Sequence, residues 1–379
     1  MLFSYTYVPH QLERMQEFID FIFYEVWCKA PIGIEFTLEL FDTKPDLKEV
    51  LSSFGFGTNA PSRGKQFYKE IKAIYGLFEA LNVQQINQFK QWYKANNEIE
   101  KVCNNDPSTQ LARYADIASS HADLADQLGN FFKNLYSQSL LKLADLKAKI
   151  GDIDDHYKRA FLKGNLTGKC PFCGIADMKG ADHQFREAYD HYLPKARYPF
   201  NSINLRNLAP ACHECNSTYK HSKDPVHDHT GRRQAFYPYA DGAPSIEVKV
   251  NLQHADITKL TKEDIDLKFG PVAINERIET WKDVYGIEER YKGKLCSTDA
   301  IDWIEQFRIL NRRKRFPAND HLDNIEQAAP YANCNFLKKA FMQECHRIGV
   351  LTAIENYRDD VTEEDETAEN IGLNSYSIT

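Results

Sequence analysis

Two pairs of cysteines constrain this chain more than any other feature of its sequence. The first pair is Cys170 and Cys173, and the second is Cys212 and Cys215; two residues separate the cysteines of each pair. Four thiolates can bind one Zn²⁺ tetrahedrally, and such a site has no open coordination position. The spacing therefore predicts a structural zinc site that fixes the two ends of the intervening segment, which is too short to form its own core. The alternative is a pair of unrelated turns with buried thiols.

The remaining cysteines follow no regular spacing. The total of nine is odd, which argues against a disulfide framework and for a reducing compartment. The first ten residues lack the pattern of a signal peptide, and acidic residues interrupt the longest apolar run, at 18–28. We therefore expect a cytoplasmic protein without a membrane span.

The charge of the chain is unevenly distributed. Its 379 residues carry a net charge of -7 and have the composition of a soluble globular protein. Residues 156–223 nevertheless contain eleven lysines and arginines against five aspartates and glutamates, a local charge of +6. A basic island in an acidic chain is typical of a local phosphate-binding surface. The alternative is that the local excess of basic residues arose by chance.

Apolar periodicity predicts an α+β chain that is mostly α-helical, with four segments. We expect a helical N-terminal domain at 1–150, which positions a partner or substrate, and a domain at 151–235 around the cysteine pairs. A mixed, mainly helical region at 236–355 and an acidic, flexible tail at 356–379 follow.

Within the N-terminal domain, helical patterns cover 62–81, 83–103, 108–128 and 131–150. Short strands are predicted at 2–8, 246–252 and 265–269. Gly64 and Lys65 lack the following Ser or Thr of a phosphate-binding loop, so no nucleotide site is expected there.

Several polar residues lie between the cysteine pairs. A strand at 187–193 would carry Asp190 and His191, and a second strand at 207–211 would complete a hairpin. Neighbouring strand residues point to opposite faces, so both side chains can serve one site only at a strand end or bulge. After Cys212 we expect a helix on which Asn216 and Lys220 face the same way.

The order and spacing of these residues resemble the HNH endonuclease family in its four-cysteine, zinc-containing form. The resemblance covers residues 170–220 and no more of the chain. It is carried by Cys170-x2-Cys173, Asp190-His191-x2-Pro194, Asn207-Leu208-x-Pro210 and Cys212-x2-Cys215-Asn216-x3-Lys220.

The resemblance implies a central ββα-metal nuclease fold with assigned roles. His191 would be the general base, and Asp190 and Asn216 would bind a catalytic Mg²⁺ or Mn²⁺. Asn207 would brace the loop and the histidine backbone, and Lys220 would contact phosphate. A neutral imidazole can take a proton from water, and carboxylate and amide oxygens are hard ligands suited to these ions.

A second resemblance concerns partners. Residues 275–291 resemble the tail of bacterial HNH proteins from antiphage defence systems. In Septu-like systems the nuclease works with an ATPase subunit, so DNA and an ATPase are the implied partners, with RNA still open. A functional alternative from another class is a zinc-stabilised nucleic-acid or protein binding module that has lost catalysis.

Other residues offer rival sites. Asp182 and His183 form a second Asp-His pair, but without the following x-x-Pro. His213 lies inside the second cysteine pair, where four thiolates already satisfy zinc. The cluster of His221, His227 and His229 suggests either a second metal site or a solvated loop, and the basic run at 312–315 suggests either a phosphate contact or a solvated helix end.

Overall fold

The computed structural model describes residues 1–165, 168–242, 245–314 and 316–357, without the side chains of Gln138, Arg313 and Lys314. The described chain is α+β and mostly helical, with two small two-stranded sheets. Its residues group into two compact units. The first comprises Met1–Glu247 with Phe269–Ile287, and the second comprises Val248–Lys268 with the described residues from Glu288 on.

The first unit contains eleven of the helices. They are α1 (Arg14–Phe21), α2 (Pro45–Phe56), α3 (Ser62–Glu79), α4 (Val83–Asn97), α5 (Ile99–Cys103), α6 (Tyr114–Ala118), α7 (Ala122–Leu135), α8 (Gln138–Leu141), α9 (Ala144–Ile150), α10 (Ile153–Phe161) and α11 (Asn275–Tyr285). Segments 1–150 and 151–235, which the sequence predicts as separate domains, both lie in this unit. Their functional division stays a prediction.

An aromatic core joins the helices of the N-terminal region. The helical turns Trp27–Ile32 follow α1, and Trp27 packs between Phe78 of α3 and Phe131 of α7. The Trp27 indole is fully buried and donates a hydrogen bond to the Ile71 carbonyl (3.0 Å). Burying one such side chain contributes about 1.5 to 3 kcal/mol.

The segment between the cysteine pairs forms a hairpin followed by a helix. Strand β1 (Tyr189–His191) pairs antiparallel with β2 (Leu208–Pro210), so that His191 lies opposite Leu208. The helix Glu214–Lys220, here called the site helix, follows directly. Both strands are shorter than predicted, and His191 is the last residue of β1.

The strand predicted at 2–8 is wrong. The described residues of this segment form no strand, and its backbone bonds instead to loops. The Leu2 amide donates to the Pro171 carbonyl (2.9 Å), and the Tyr5 amide donates to the Pro238 carbonyl (2.7 Å). The segment therefore braces the turn of the first cysteine pair.

The second unit contains most of β3 (Glu247–Leu252) and β4 (Ile265–Gly270), which pair as the sequence predicts. Its helices are α12 (Ile287–Leu295) without its first residue, α13 (Thr298–Lys314), α14 (Ala318–Gln327), α15 (Asn335–Arg347) and α16 (Val350–Asn356). Most of the predicted acidic tail lies outside the described residues. No helix in the described ranges combines the length and apolar character needed to cross a bilayer.

Candidate metal centre and polar site

The four paired cysteines form one buried cluster. The sulfur atoms of Cys170, Cys173, Cys212 and Cys215 all lie within 4.8 Å of one another. Tetrahedral zinc, with Zn–S bonds of about 2.3 Å, places its sulfurs about 3.8 Å apart, so the cluster has the right size and chemistry. Gly174, at φ +68°, lets the chain turn after the first pair. The cluster could hold a metal such as zinc, as predicted.

Asp190 and Lys220 form a buried ion pair between β1 and the site helix. Their side chains are 5 % and 1 % exposed. The Lys220 ammonium donates to Asp190 Oδ1 (2.6 Å) and to the His191 carbonyl (2.7 Å). Burial raises the pKa of Asp190, and the ammonium opposes that rise. The other carboxylate oxygen, Oδ2, is buried without a hydrogen-bond partner among the described residues.

This geometry does not favour the phosphate contact predicted for Lys220. The side chain runs from the site helix toward β1, and its ammonium is enclosed rather than facing solvent. Both of its hydrogen bonds hold the strand that carries Asp190 and His191. In this structure Lys220 ties the site helix to the end of β1.

His191 is half-buried at the end of β1 and is held by one hydrogen bond. Its Nε2 lies 3.0 Å from the Ser202 carbonyl. A carbonyl only accepts, so Nε2 carries the proton and Nδ1 keeps its lone pair. Burial, with Lys195 nearby, lowers the pKa of His191 to about 3, so the imidazole is neutral at neutral pH. The Tyr136 ring stands perpendicular to it, with centroids 4.7 Å apart.

Asn207 is fully buried and braces the loop after β1. Its Oδ1 accepts from the Leu193 amide (2.8 Å). Its Nδ2 donates to the carbonyls of Leu193 and Asn201, each at 3.2 Å. These bonds tie the two ends of the loop 193–201 together.

Asn216 lies on the site helix four residues before Lys220, and therefore on the face that carries the Lys220 side chain to β1. It is half-buried, and its side-chain amide makes no hydrogen bond within the described part of the chain. Asp190 Oδ2 and the Asn216 amide oxygen, neither with a hydrogen-bond partner in the described ranges, are ligand types that suit a hard divalent cation.

The end of α4 holds the loop that positions His191, a contribution not predicted from the sequence. Asn96 donates to the Pro199 carbonyl (3.0 Å) and accepts from Asn201 at its own carbonyl (3.0 Å). Asn97 donates to the Phe200 carbonyl (3.3 Å). No sequence motif marks these asparagines, because their partners lie about a hundred residues away.

The rival residues do not assemble into a second centre. Asp182 and His183 are exposed in a loop, and His213 is also exposed. The cysteine group is the metal-ligand cluster found in the described ranges, and His221, His227 and His229 are not part of it. Of the basic run at 312–315, only Arg312 has a described side chain.

Comparison with known proteins adds one partial likeness. Protein ea31 of Escherichia phage lambda is 40% identical over 77 residues, which are 19% of this chain and 21% of that protein. The chain therefore matches only about a fifth of that relative's length. No model of a known protein family matches the chain, and neither does any solved structure.

Proposed function

We propose that this chain is a metal-dependent HNH endonuclease that hydrolyses phosphodiester bonds in DNA. In this proposal β1, β2 and the site helix form its ββα-metal fold, and the cysteine cluster holds structural zinc. The observation that carries the proposal is the arrangement at the end of β1. There a neutral His191, whose Nδ1 keeps its lone pair, follows Asp190, whose Oδ2 has no hydrogen-bond partner among the described residues.

The residues divide the chemistry between them. His191 Nδ1 takes a proton from the attacking water, a contribution of about 10² to 10⁴ in rate for a positioned general base. The Ser202 carbonyl fixes the tautomer and the ring orientation. Asp190 and Asn216 would hold Mg²⁺ or Mn²⁺, which supplies charge stabilisation for the phosphate and the leaving oxygen when bound.

The biological setting rests on resemblance. The likeness of residues 275–291 to the tail of antiphage HNH proteins supports a defence role with an ATPase partner. The local charge of +6 over residues 156–223 supports a polyanionic substrate, DNA first and RNA second.

Substitution of His191 tests the activity. His191→Ala should reduce Mg²⁺- or Mn²⁺-dependent plasmid cleavage at least about 100-fold, because the general base is lost. His183→Ala is the matched control, since His183 is the exposed histidine of the other Asp-His pair, and it should cleave like the wild type. Cleavage by the His191→Ala protein at the wild-type rate would refute the assignment.

One observation favours the alternative, a zinc-stabilised binding module without catalysis. The ion pair with Lys220 occupies one oxygen of the proposed metal ligand Asp190. If the wild type binds nucleic acid but cuts neither DNA nor RNA with either metal ion, alone or with an ATPase encoded beside it, the binding module is the better description.

A further inference from the structure

A groove lies between α6 and α7 and extends to the loop that follows His191. Its volume is about 360 Å³. It is lined by Tyr114, Ala118, Asp126, Gly129, Lys133 and Ala196.

Lys133 lines this groove and Lys195 directly precedes the lining residue Ala196, and neither lysine has a carboxylate partner among the described residues. The Lys133 ammonium lies 5.5 Å from the Tyr114 ring centroid, and the Lys195 ammonium lies 5.7 Å from the Tyr136 ring centroid. Lys195 also donates to the Lys133 carbonyl (3.3 Å). Nearby Arg186, by contrast, is neutralised by Asp154 at 2.9 Å. Within the lining itself Asp126 balances Lys133, so the excess of positive charge at the groove comes from Lys195, which is hydrogen-bonded to the Lys133 carbonyl.

Tyr114 adds an uncommitted donor. Its hydroxyl is buried and has no hydrogen-bond partner within the described ranges, although the residue lines the groove. A buried hydroxyl without a partner is destabilising, so such groups are uncommon unless a ligand satisfies them.

The groove is connected to the candidate catalytic histidine through side-chain contacts. Lys195 lies over the Tyr136 ring, and the same ring stands against His191 with centroids 4.7 Å apart. Lys195 also follows His191 by four residues on the loop braced by Asn207. An anion bound by these lysines would therefore lie beside the proposed reaction centre.

We propose that this groove binds the sugar-phosphate backbone that flanks the scissile bond, an inference that rests on the proposed nuclease function. Lys133 and Lys195 contact phosphates, and the Tyr114 hydroxyl donates to a phosphate oxygen. The N-terminal helical region therefore forms part of the substrate site. Contacts of this kind fix position and carry no sequence information, so binding should be independent of sequence.

Salt-dependent binding tests the groove without requiring cleavage. The full chain carrying His191→Ala is titrated into fluorescein-labelled single-stranded and duplex oligonucleotides at several NaCl concentrations, and anisotropy is recorded. Adding Lys133→Ala and Lys195→Ala should reduce the slope of log K against log salt by about 1.4 to 1.8, since each phosphate contact contributes about 0.7 to 0.9. Tyr114→Phe should weaken binding at least about threefold without lowering stability.

A matched control carries Lys72→Ala and Lys94→Ala, which remove the same charge from exposed positions on α3 and α4. The control should keep the parent slope. An unchanged slope in the Lys133 and Lys195 variant, an equal fall in the control, or no binding of either oligonucleotide at low salt overturns the groove assignment. Binding with the expected slopes by a wild type that never cleaves would instead overturn the nuclease function and leave the groove intact.

Discussion

At the residue scale, the ion pair between Asp190 and Lys220 dominates the energetics of the site. Both groups are buried, and the ammonium is the only described partner of the Asp190 carboxylate. Removing one member of such a pair leaves an uncompensated charge and costs about 3 to 5 kcal/mol. Replacing both members by neutral groups avoids that cost.

We therefore expect Lys220→Met to lower the free energy of unfolding by about 3 kcal/mol or more. The double variant Asp190→Asn with Lys220→Met should recover most of this loss. Urea unfolding measures both effects. Lys223→Met is the control, because the interactions of Lys223 with the Asp283 carboxylate (3.4 Å) and carbonyl (2.5 Å) are exposed, and exposed pairs contribute about 0 to 1 kcal/mol. A Lys220→Met protein as stable as the wild type would contradict the buried pair.

His156 gives the fold a pH dependence in the same direction as that of His191, because burial lowers the pKa of both imidazoles. The His156 imidazole is 2 % exposed, and its Nδ1 lies 2.6 Å from the Tyr189 hydroxyl. Burial lowers the pKa of His156 to about 4, below its ordinary value of 6.5. The unfolded chain then binds more protons than the folded chain between these values, so stability falls as pH decreases through this window.

The expected loss from His156 between about pH 6.5 and pH 4 is roughly 3 kcal/mol, because each pKa unit corresponds to about 1.4 kcal/mol. His156→Gln keeps a polar contact for Tyr189 but does not titrate. Urea unfolding at several pH values should therefore show a shallower dependence for the variant than for the wild type. Parallel curves would show that His156 is not the titrating group.

At the element scale, the loop after β1 depends on helices that are distant in sequence. Phe200 in this loop has φ +80°, an uncommon conformation for a residue with a side chain. Its ring is fully buried against Phe23, Tyr93 and Phe132 of the helical core. The core and the α4 asparagines thus hold the loop whose Ser202 carbonyl orients His191.

Asn96→Ala should therefore reduce both stability and cleavage. The change removes bonds to the Ala112 amide and to the Ala112 and Pro199 carbonyls. Each buried group left unpaired costs about 1 to 3 kcal/mol. Asn87→Ala, at an exposed position of the same helix, is the control and should change neither. Full cleavage by a measurably destabilised Asn96→Ala protein would show that the loop does not need this brace.

The sequence predicted which elements surround the site better than where helices end. The helical patterns at 108–128 and 131–150 differ from the observed α6, α7, α8 and α9. Gly129 lies inside α7 and does not end a helix. The inward orientation of the Lys220 side chain could not be predicted from the sequence either, since lysine is almost always exposed.

At the scale of the whole first unit, the turn of the first cysteine pair also bonds to segments that are distant in sequence. The Pro171 carbonyl accepts from Leu2 of the N-terminal segment (2.9 Å). The Phe172 carbonyl accepts from the Trp281 indole of α11 (2.6 Å). Loss of a metal from the cluster would therefore loosen the N-terminal segment and α11 together with the hairpin and the site helix.

We expect one zinc per chain by metal analysis, and a marked loss of stability when it is removed. Zinc in small structural sites contributes about 10 kcal/mol or more to folding. We therefore expect zinc removal to lower the free energy of unfolding by at least about 4 kcal/mol. That loss corresponds to a fall in melting temperature of about 10 °C for a unit of this size. A zinc chelator and the Cys173→Ser variant should both produce it.

Cys296→Ser is the matched control, because Cys296 is half-buried and lies outside the cluster. This variant should keep both its zinc and its melting temperature. A Cys173→Ser protein with full zinc content and an unchanged melting temperature would show that the four cysteines are not a zinc site. Zinc loss in Cys173→Ser with unchanged melting would instead show that the helical core, rather than the metal, holds the hairpin and the site helix in place.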